Sequence, residues 1–561
     1  MAPIVARLLL NRGMADPELA SRFLYTPFSG LRPPEELPGI GEAADRLFAA
    51  VQQKRRVCVY GDYDVDGLSG TAILWQCLHL LGTAVDYYIP HRLSEGYGLN
   101  AEALQQIKAT GASLVVTVDC GIASVKEAEE AKRLGLELII TDHHEPKERL
   151  PGADVIVHPR LAGSHYPFSA LSGSGVAFKL AWALCQRASG ATKVTPKFRE
   201  FLLDSVALAA LGIIADVVPL LDENRILVHH GLKRLGETES VGLRALLRAC
   251  GLGDKSPLRA TDVGFSLGPR LNAAGRLGCA RLVVELFTTD SPSRAADIAD
   301  FLNLQNENRQ QIERRILKEA KEQLATVSLG ETHALVLARK DWHSGVIGIV
   351  AGRLAELYHR PTLLIALNGD ETAAQGSARS IPGFSLHEAL AACADGLLSH
   401  GGHAAAAGFR IRPDSIDDFR QRFCAYVAQC FPQGLPAPTL DIDAETPLSS
   451  LSLDVVKSLA KLEPYGAGNP KPLFLSSPVE IIGTPKRVGK GDRHLAFRVR
   501  QHSTTLRAIA FGHGDRLEEL LSADGVCSLV FTPTINEFNG WRRVQLEVRD
   551  FQAGQRVPLE I

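Results

Sequence analysis

The hydrophobic pattern changes period several times along the chain, and the changes divide it into segments. From about residue 54 to 159, short β-branched runs at Val57–Tyr60, Val85–Ile89, Leu114–Val118, Leu138–Thr141 and Val155–Val157 alternate with longer amphipathic stretches at Leu68–Leu81, Ala101–Thr110 and Ser124–Leu134. Such alternation predicts an α/β domain, a parallel sheet covered by helices. That domain is expected over 54–300, mainly helical after residue 165, with a mostly helical segment, 1–53, packed on it. Within Phe301–Val327, Ile312, Ile316, Ala320 and Leu324 recur at four-residue spacing in a polar background, the narrow stripe of a connecting helix over 301–327. A second α/β unit over 328–430 is predicted from strands Ala334–Ala338 and Thr362–Ala366 around a helix at Gly348–Tyr358. Past the Pro-rich break Phe431–Pro438, residues 439–561 alternate at His494–Arg500, Thr505–Phe511, Ser528–Phe531 and Val544–Val548. Short strands with turns predict a small β-barrel or sandwich, an OB-fold among the candidates.

Composition narrows the class. Of 561 residues, 45% are apolar and 22% charged, which excludes wholesale disorder and fibrous repeats. Lys and Arg number 61 against 63 Asp and Glu, so any nucleic-acid surface must be a local patch. Ten cysteines without a CxxC pair read as reduced thiols of a cytoplasmic protein, not as zinc ribbons or disulfides. The amino-terminal apolar run is too short for a secretion signal. The longest apolar stretch, Val206–Leu221, is broken by Asp216 and Pro219 and falls short of the roughly 20 residues a membrane span needs.

The densest chemistry lies at VCVYGDYDVDG, where the first predicted strand runs into Asp62, Asp64 and Asp66 with no basic residue between them. Carboxylates this close repel unless a cation neutralises them. A calcium EF-hand would need Glu at the twelfth position from Asp62, and that position is Ile73. Two further strands end alike, Leu114–Val118 in Asp119 and Leu138–Thr141 in Asp142, His143 and His144. In open α/β sheets ligands sit beyond the carboxyl ends of strands, so three strands deliver metal-ligand side chains to one edge. Asp216 interrupts the apolar run LALGIIADVVPLL, where a buried carboxylate costs several kcal/mol unless it is paired or bound. Metal ligation and helix capping are the two accounts of it. Carboxylates with His and no thiolate favour manganese, with magnesium as the alternative, and the number of ligands suffices for two ions suited to in-line displacement at phosphorus.

The Asp142-His143-His144 triplet, the Asp-x-Asp before it and the later Asp216 resemble the DHH phosphoesterase superfamily. YGDYDVDG, TVDCG, TDHH, GIIADVVPL, GPRLNAAGRLG, GGHAAAAGF and PYGAGNP further resemble, in order, the RecJ family of bacterial single-strand-specific exonucleases. The resemblance implies a DHH domain and a DHH-associated domain around a groove too narrow for duplex, and an OB-fold for DNA. It implies 5′→3′ degradation of single-stranded DNA to mononucleotides with manganese or magnesium, in repair and recombination. Carried over, the ion ligands are Asp64, Asp66, Asp119, His143 and Asp216, with Asp62 as an addition, and His144 serves the leaving oxygen. Other superfamily members have His where this chain has Tyr60, which bears on the second ion's ligands.

Cleavage from one end requires recognition of a terminal phosphate, and Arg92, Asn272, Arg276, Ser377, Arg379 and His403 are the candidates. The resemblance favours Arg276, Ser377 and Arg379. By itself GGHAAAAGF reads as a turn into a tightly packed helix. From Ile481 to Ala510, Lys486, Arg487, Lys490, Arg493, Arg498, Arg500 and Arg507 face a single acid, Asp492. With Phe497, Phe511, Phe538 and Trp541 they suit a single-strand groove, phosphate attraction plus base stacking. Expected partners are a 5′-ended single strand, a single-strand-binding protein and a helicase, with the enzyme a monomer. The rival readings are a DHH phosphodiesterase for short oligonucleotides or cyclic dinucleotides, which a truncation near residue 435 would leave active, and a non-catalytic DNA-binding scaffold.

Overall fold

The structure is a computed structural model, described for residues 2–92, 94–326, 328–330, 332–367, 372–522, 525–538 and 540–554. It divides into two compact units, one of Pro33–Asp216 with Gly231–Thr439, the other of Met1–Arg32, Val217–His230 and Leu440–Ile561.

The first unit holds two sheets. Strands β1 (Val57–Gly61), β2 (Val85–Tyr88), β3 (Leu114–Val118), β4 (Glu137–Thr141) and β5 (Val155–Val157) are parallel, in order β2-β1-β3-β4-β5. β1 and β3 are buried at every position, which is why they read as unbroken apolar runs instead of alternating ones. Strand order reverses between β1 and β3, the switch point where such sheets open a crevice at their carboxyl edge. The helix Val65–Leu80 packs against Gly173–Ser189 and Pro196–Ala215, and all three are apolar over most of their circumference.

The second sheet runs β6 (Leu335–Lys340), β7 (Thr362–Leu367), β8 (Ala374–Arg379), β10 (Ala406–Ile411) and β9 (Leu397–Gly402). β6 and β7 are parallel and the remaining pairs antiparallel. Here GGHAAAAGF forms the β9–β10 hairpin and not a turn into a helix. Its small residues fit a sheet in which the Phe409 ring of β10 fills the space over Gly376 on β8. A 33-residue helix, Pro292–Leu324, joins the lobes. It starts earlier than residue 301 because Ser291 accepts from the Arg294 N–H and Pro292 takes the first helical position, a complete start signal. Its first turns bury Ala295, Ile298 and Leu302, and its last turns pack Ile316, Ala320 and Leu324 against the helix Ser344–Tyr358.

In the second unit, β11 (Ala444–Glu445) and β12 (Phe474–Leu475) flank a closed ring of β13 (Val479–Val488), β14 (His494–Gln501), β15 (Thr504–Ala510), β17 (Trp541–Ala553) and β16 (Val526–Phe538). β15 and β17 are parallel and the other ring pairs antiparallel, the pairing of a five-stranded OB barrel. The first 32 residues share their compact unit with Val217–His230 from within the 54–300 stretch, where Arg225 donates to the Phe23 carbonyl and Arg32 to Asp222, and with the barrel, which was not expected. Val5, Leu8, Leu9, Ala20 and Phe23 are buried in one core with Phe474, Phe497, Phe531 and Leu546. Helical periodicity marks an apolar face without naming the core it joins. Ile40–Gln52, with Pro34–Glu36 before it, packs against Gly173–Ser189. Among the described residues no helix is long and apolar enough to cross a membrane.

Candidate metal centre and phosphate cavity

The carboxyl ends of β1, β3 and β4 bring the acidic groups together at the switch point. Asp64 caps the helix Val65–Leu80, accepting from the Asp66 and Gly67 N–H groups at 2.9 and 3.1 Å, which turns Asp62, Asp64 and Asp66 around one helix start. Asp119, after β3, sits in the left-handed region at φ +64°. Asp66 is buried, and its carboxylate accepts from Gly173 N (2.7 Å), Ser174 N (3.1 Å) and Ser172 Oγ (3.1 Å). The glycine motif at Gly173 is thus a helix start, and its free amides hold a carboxylate. Asp216 is the C-cap residue of Pro196–Ala215. A carboxylate cannot cap amides there, and it meets the negative end of the helix dipole, so the capping account of Asp216 fails.

His143 Nε2 lies 3.0 Å from Asp119 Oδ1, 3.5 Å from Asp216 Oδ2 and 3.9 Å from Asp66 Oδ2. Three overlapping ligand sets result: Asp66, His143 and Asp216; Asp62, Asp64 and Asp119; Asp119, His143 and His144. Burial, then neighbouring Asp64, pushes the Asp62 carboxyl well above its ordinary range, and burial followed by Asp66 does the same to Asp119. Asp66 is raised to about 6 by burial and Asp64, and Asp216 to about 9 by burial and Asp66. His143 is lowered to about 3 by burial and then His144. Acids that resist ionisation beside a histidine that resists protonation describe a pocket short of positive charge. Asp62 Oδ1, Asp119 Oδ1 and His143 Nε2 are buried without a hydrogen-bond partner. Uncompensated acceptors of this kind fit divalent cations.

Two glycines make room for the acids. A Cβ at Gly173 would overlap Asp119 Oδ1, and one at Gly212 would overlap both Asp66 Oδ1 and Ser174 Oγ. Gly212→Ala is therefore expected to weaken manganese binding roughly 10- to 100-fold by displacing a ligand's support, with helix content unchanged. Calorimetric titration with circular dichroism checks it, and unchanged affinity would contradict the placement of Asp66.

The groups around His144 escape sequence reading. Asp142 Oδ1 is 2.7 Å from His144 Nδ1, accepts from the His143 and His144 N–H groups, and its Oδ2 accepts from Ile122 N. Burial opposes this charge, but the His144 hydrogen bond, the charges of His144 and His143 and the Ile122 N–H together outweigh it and hold Asp142 below its ordinary range. His144 is half-buried; burial would keep it neutral, whereas the Asp142 hydrogen bond and the charges of Asp142, Asp216 and Asp64 raise it to about 9. With Nδ1–H given to Asp142, the other ring nitrogen, Nε2, lies 3.4 Å from the Tyr97 hydroxyl. His158 Nδ1 accepts from Arg160 N, so its Nε2–H donates to the His144 carbonyl at 2.8 Å and fixes the backbone that carries the pair. Asp142 is visible in TDHH, but there only its neighbours suggest ligation.

A second pocket of about 240 Å³ lies between the lobes of the same unit, lined by Arg92, Ser344, Gly345, Ser377 and Arg379 among others. Arg379 Nη1 donates to Ser377 Oγ at 3.3 Å and to the Ala378 carbonyl at 2.7 Å, and Arg276 Nη1 donates to the Gly345 carbonyl at 3.0 Å. Among the described residues none of the guanidiniums of Arg92, Arg276 and Arg379 has a carboxylate within ion-pair distance. Burial, then Arg92, Arg379 and Arg309, lowers Arg276 to about 9, and burial with Arg92 lowers Arg379. Cations that repel one another in a cavity at the start of the helix Ser344–Tyr358 call for an anion. Two expected residues stand apart. Asn272 Oδ1 accepts from Val65 N at 3.3 Å and steadies the acidic loop, while His403 is exposed at the β9–β10 turn and does not line the cavity.

On the OB barrel the seven basic residues separate. Arg498 and Arg507 are cross-strand partners and line a cavity of about 820 Å³ together with Trp541, Arg542, Arg543, Asn536 and Gln545. Arg500 is paired with Glu480 at 2.6 Å, Arg487 donates to the Gly514 carbonyl and Arg493 to that of Lys490. Lys486 is exposed opposite Ala496. Phe497 is in the core, so it cannot stack on bases, whereas Phe511 and Trp541 are exposed. The Phe538 side chain lies outside the described residues. Arg542 and Arg543 escape the sequence reading because the basic run that stands out in it ends before β17.

Comparison with known proteins agrees with these features. Residues 56–210 match the DHH family N-terminal domain, 331–429 the DHHA1 domain and 442–550 the RecJ OB domain. The chain is 38% identical over 550 residues to the single-stranded-DNA-specific exonuclease RecJ of Bacillus subtilis (strain 168), covering 98% of this chain and 68% of that one. Crystal structures of RecJ from Thermus thermophilus superpose with TM-scores of 0.82 in complex with Mn2+ (35% identity, 100% of this chain, 77% of that chain) and 0.77 in complex with Mg2+ (34%, 99% and 76%). With full-length identity joined to a DHH sheet, a DHHA1 lobe and a RecJ-type OB barrel, the chain belongs to the RecJ family of single-stranded-DNA-specific exonucleases.

Proposed function

We propose that this protein is a metal-dependent exonuclease that hydrolyses single-stranded DNA from its 5′ end and releases 5′-mononucleotides. The observation that carries the reading is the pairing, within one compact unit, of a carboxylate–histidine cage short of positive charge with an arginine cavity short of negative charge. Asp66, His143 and Asp216 would hold one ion, and Asp62, Asp64 and Asp119 a second. Manganese is preferred and magnesium is the alternative, since imidazole stands among the oxygen ligands. Divalent cations held there neutralise the phosphodiester and acidify water.

The protein's own groups divide the remaining work. Arg92, Ser377 and Arg379 bind the terminal phosphate, and Arg276 adds charge behind them. His144, oriented through Nδ1 by Asp142, gives a proton from Nε2 to the leaving 3′ oxygen. The scissile bond is then the first phosphodiester, and one nucleotide leaves per turnover. On the barrel, Arg498, Arg507 and Trp541 offer single-stranded DNA phosphate attraction and stacking. The reading extends to a monomer acting in the cytoplasm in repair and recombination, supplied with single strands by a helicase and a single-strand-binding protein.

The test is to incubate the full chain and manganese with end-labelled single strands, with and without a 5′ phosphate, beside duplex and cyclic dinucleotide. Fast release of mononucleotides from the phosphorylated single strand, slower release from the 5′-hydroxyl strand and none from duplex is expected; preference for the cyclic dinucleotide would overturn the reading. Arg379→Ala should raise KM on the phosphorylated strand roughly 10- to 100-fold, the worth of a hydrogen bond to a charged group, and change little on a 5′-hydroxyl strand. Equal losses on both strands would contradict the phosphate assignment. Truncation near residue 435 cannot separate the rivals, because it would strip the core that Val5, Leu8 and Phe23 share with the barrel.

A further inference from the structure

Tyr60 occupies a strand end from which a ligand could reach the metal centre, yet its ring is fully buried and stacks on Tyr88, with centroids 5.4 Å apart. Its hydroxyl donates to the Gly98 carbonyl at 2.9 Å and accepts from Asn100 Nδ2 at 3.3 Å. Asn100 Nδ2 and Tyr88 Oη also donate to Glu95 Oε1, at 3.2 and 2.7 Å, and His91 N donates to Glu95 Oε2 at 2.6 Å. Both ends of the short loop Glu95–Asn100 are pinned in this way. At its middle stands Tyr97, between Gly96 (φ +83°) and Gly98 (φ +87°), and 53% of it is exposed.

Tyr97 is exposed but not loose. Its hydroxyl donates to the Asp119 carbonyl at 3.3 Å and lies 3.1 Å from His144 Nδ1. The ring meets His144 edge-on with centroids 5.7 Å apart, and Tyr63 at 6.3 Å; the Tyr63 ring in turn carries the Arg92 guanidinium 4.7 Å from its centroid. A line of rings therefore runs from the metal centre to the phosphate cavity, and Tyr97 is its exposed member. Resting on the exonuclease reading, we propose that Tyr97 seats the 5′-terminal nucleoside, its ring stacking on the first base while the terminal phosphate lies against Arg92 and the first phosphodiester against the acids. Tyr60 is the positioning residue that holds this seat in place. Because every base has a π-face, such a seat fixes the position of one nucleoside without selecting its sequence.

The test is a kinetic cycle on 5′-phosphorylated single strands whose terminal nucleotide either bears a base or is an abasic tetrahydrofuran. On the base-bearing strand Tyr97→Ala should lower kcat/KM roughly tenfold, chiefly through KM, while on the abasic strand it should stay within about twofold of the parent, the non-additivity expected of two changes that remove one contact. Tyr97→Phe keeps the ring and should keep the base dependence. Tyr60→Phe, which keeps the buried stack but frees the Gly98 carbonyl, should show a smaller loss that is again confined to base-bearing strands. Equal Tyr97→Ala losses on both strands, or none on the base-bearing one, would overturn the seat, and an equal Tyr60→Phe loss on both would overturn its positioning role. A parent enzyme that leaves both strands intact would overturn the exonuclease reading instead.

Discussion

Asp119→Ala is expected to lower kcat by roughly 10³-fold or more, because divalent-cation catalysis supplies several kcal/mol at about 1.36 kcal/mol per decade. Asp119 belongs to two of the three ligand sets, so no neighbour replaces it. Stability should move the other way. In the metal-free protein Asp119 is a buried carboxylate repelled by Asp66 and Asp64, so its removal should raise the metal-free Tm while abolishing the rise that manganese gives the parent. The acids also set a pH dependence. A carboxyl whose folded pKa is raised contributes stability that is whole below its unfolded value of about 4 and is lost as pH climbs through the folded value. With Asp66 at about 6 and Asp216 at about 9, the metal-free protein should lose stability from about pH 4 to 9, and saturating manganese should flatten the slope. Thermal melts across that window check it; a level metal-free Tm, or a fully active Asp119→Ala enzyme, would refute the metal assignment.

His144→Ala should cost roughly 10²- to 10⁴-fold in kcat with KM nearly unchanged, the usual worth of a positioned acid. Its Nδ1 is committed to Asp142, so on the exonuclease reading Nε2 is the nitrogen that would serve the leaving oxygen. A strand with sulfur in place of the bridging 3′ oxygen departs without a proton, and on it the variant should recover most of its rate. If the loss were the same for sulfur and oxygen, His144 would be acting on something other than the leaving group.

The legible parts of this molecule are those where local chemistry and global fold coincide. Strands β1, β3 and β4 and the acids at their ends can be read because strands buried on both faces are mostly apolar along their length and a carboxylate at a strand end has few other uses. β8 cannot: the buried positions of AQGSAR are Ala374, Gly376 and Ala378, too small to mark an apolar face, and Gly376 leaves the space that the Phe409 ring fills. The Asp142–His144 bond, the Gly212 contact with Asp66 and the Tyr97 loop depend on partners that no local pattern announces. Periodicity assigns the amino-terminal helices to the wrong core for the same reason, since a stripe such as Val5, Leu8 and Leu9 fits any apolar surface of suitable shape.

That shared core has a consequence for synthesis. A ribosome emits Pro3–Asn11 long before Trp541–Ala553, so the first must wait for the second while everything between them is made. The unit that holds the metal cage, with the contiguous stretch from Gly231 to Thr439, can collapse earlier, whereas the barrel gains its closing strand only after that stretch has been made. Until then an apolar amino-terminal helix stands unshielded, which makes nascent chains of this protein natural clients for chaperones and lets the barrel mature only after the unit that holds the metal cage.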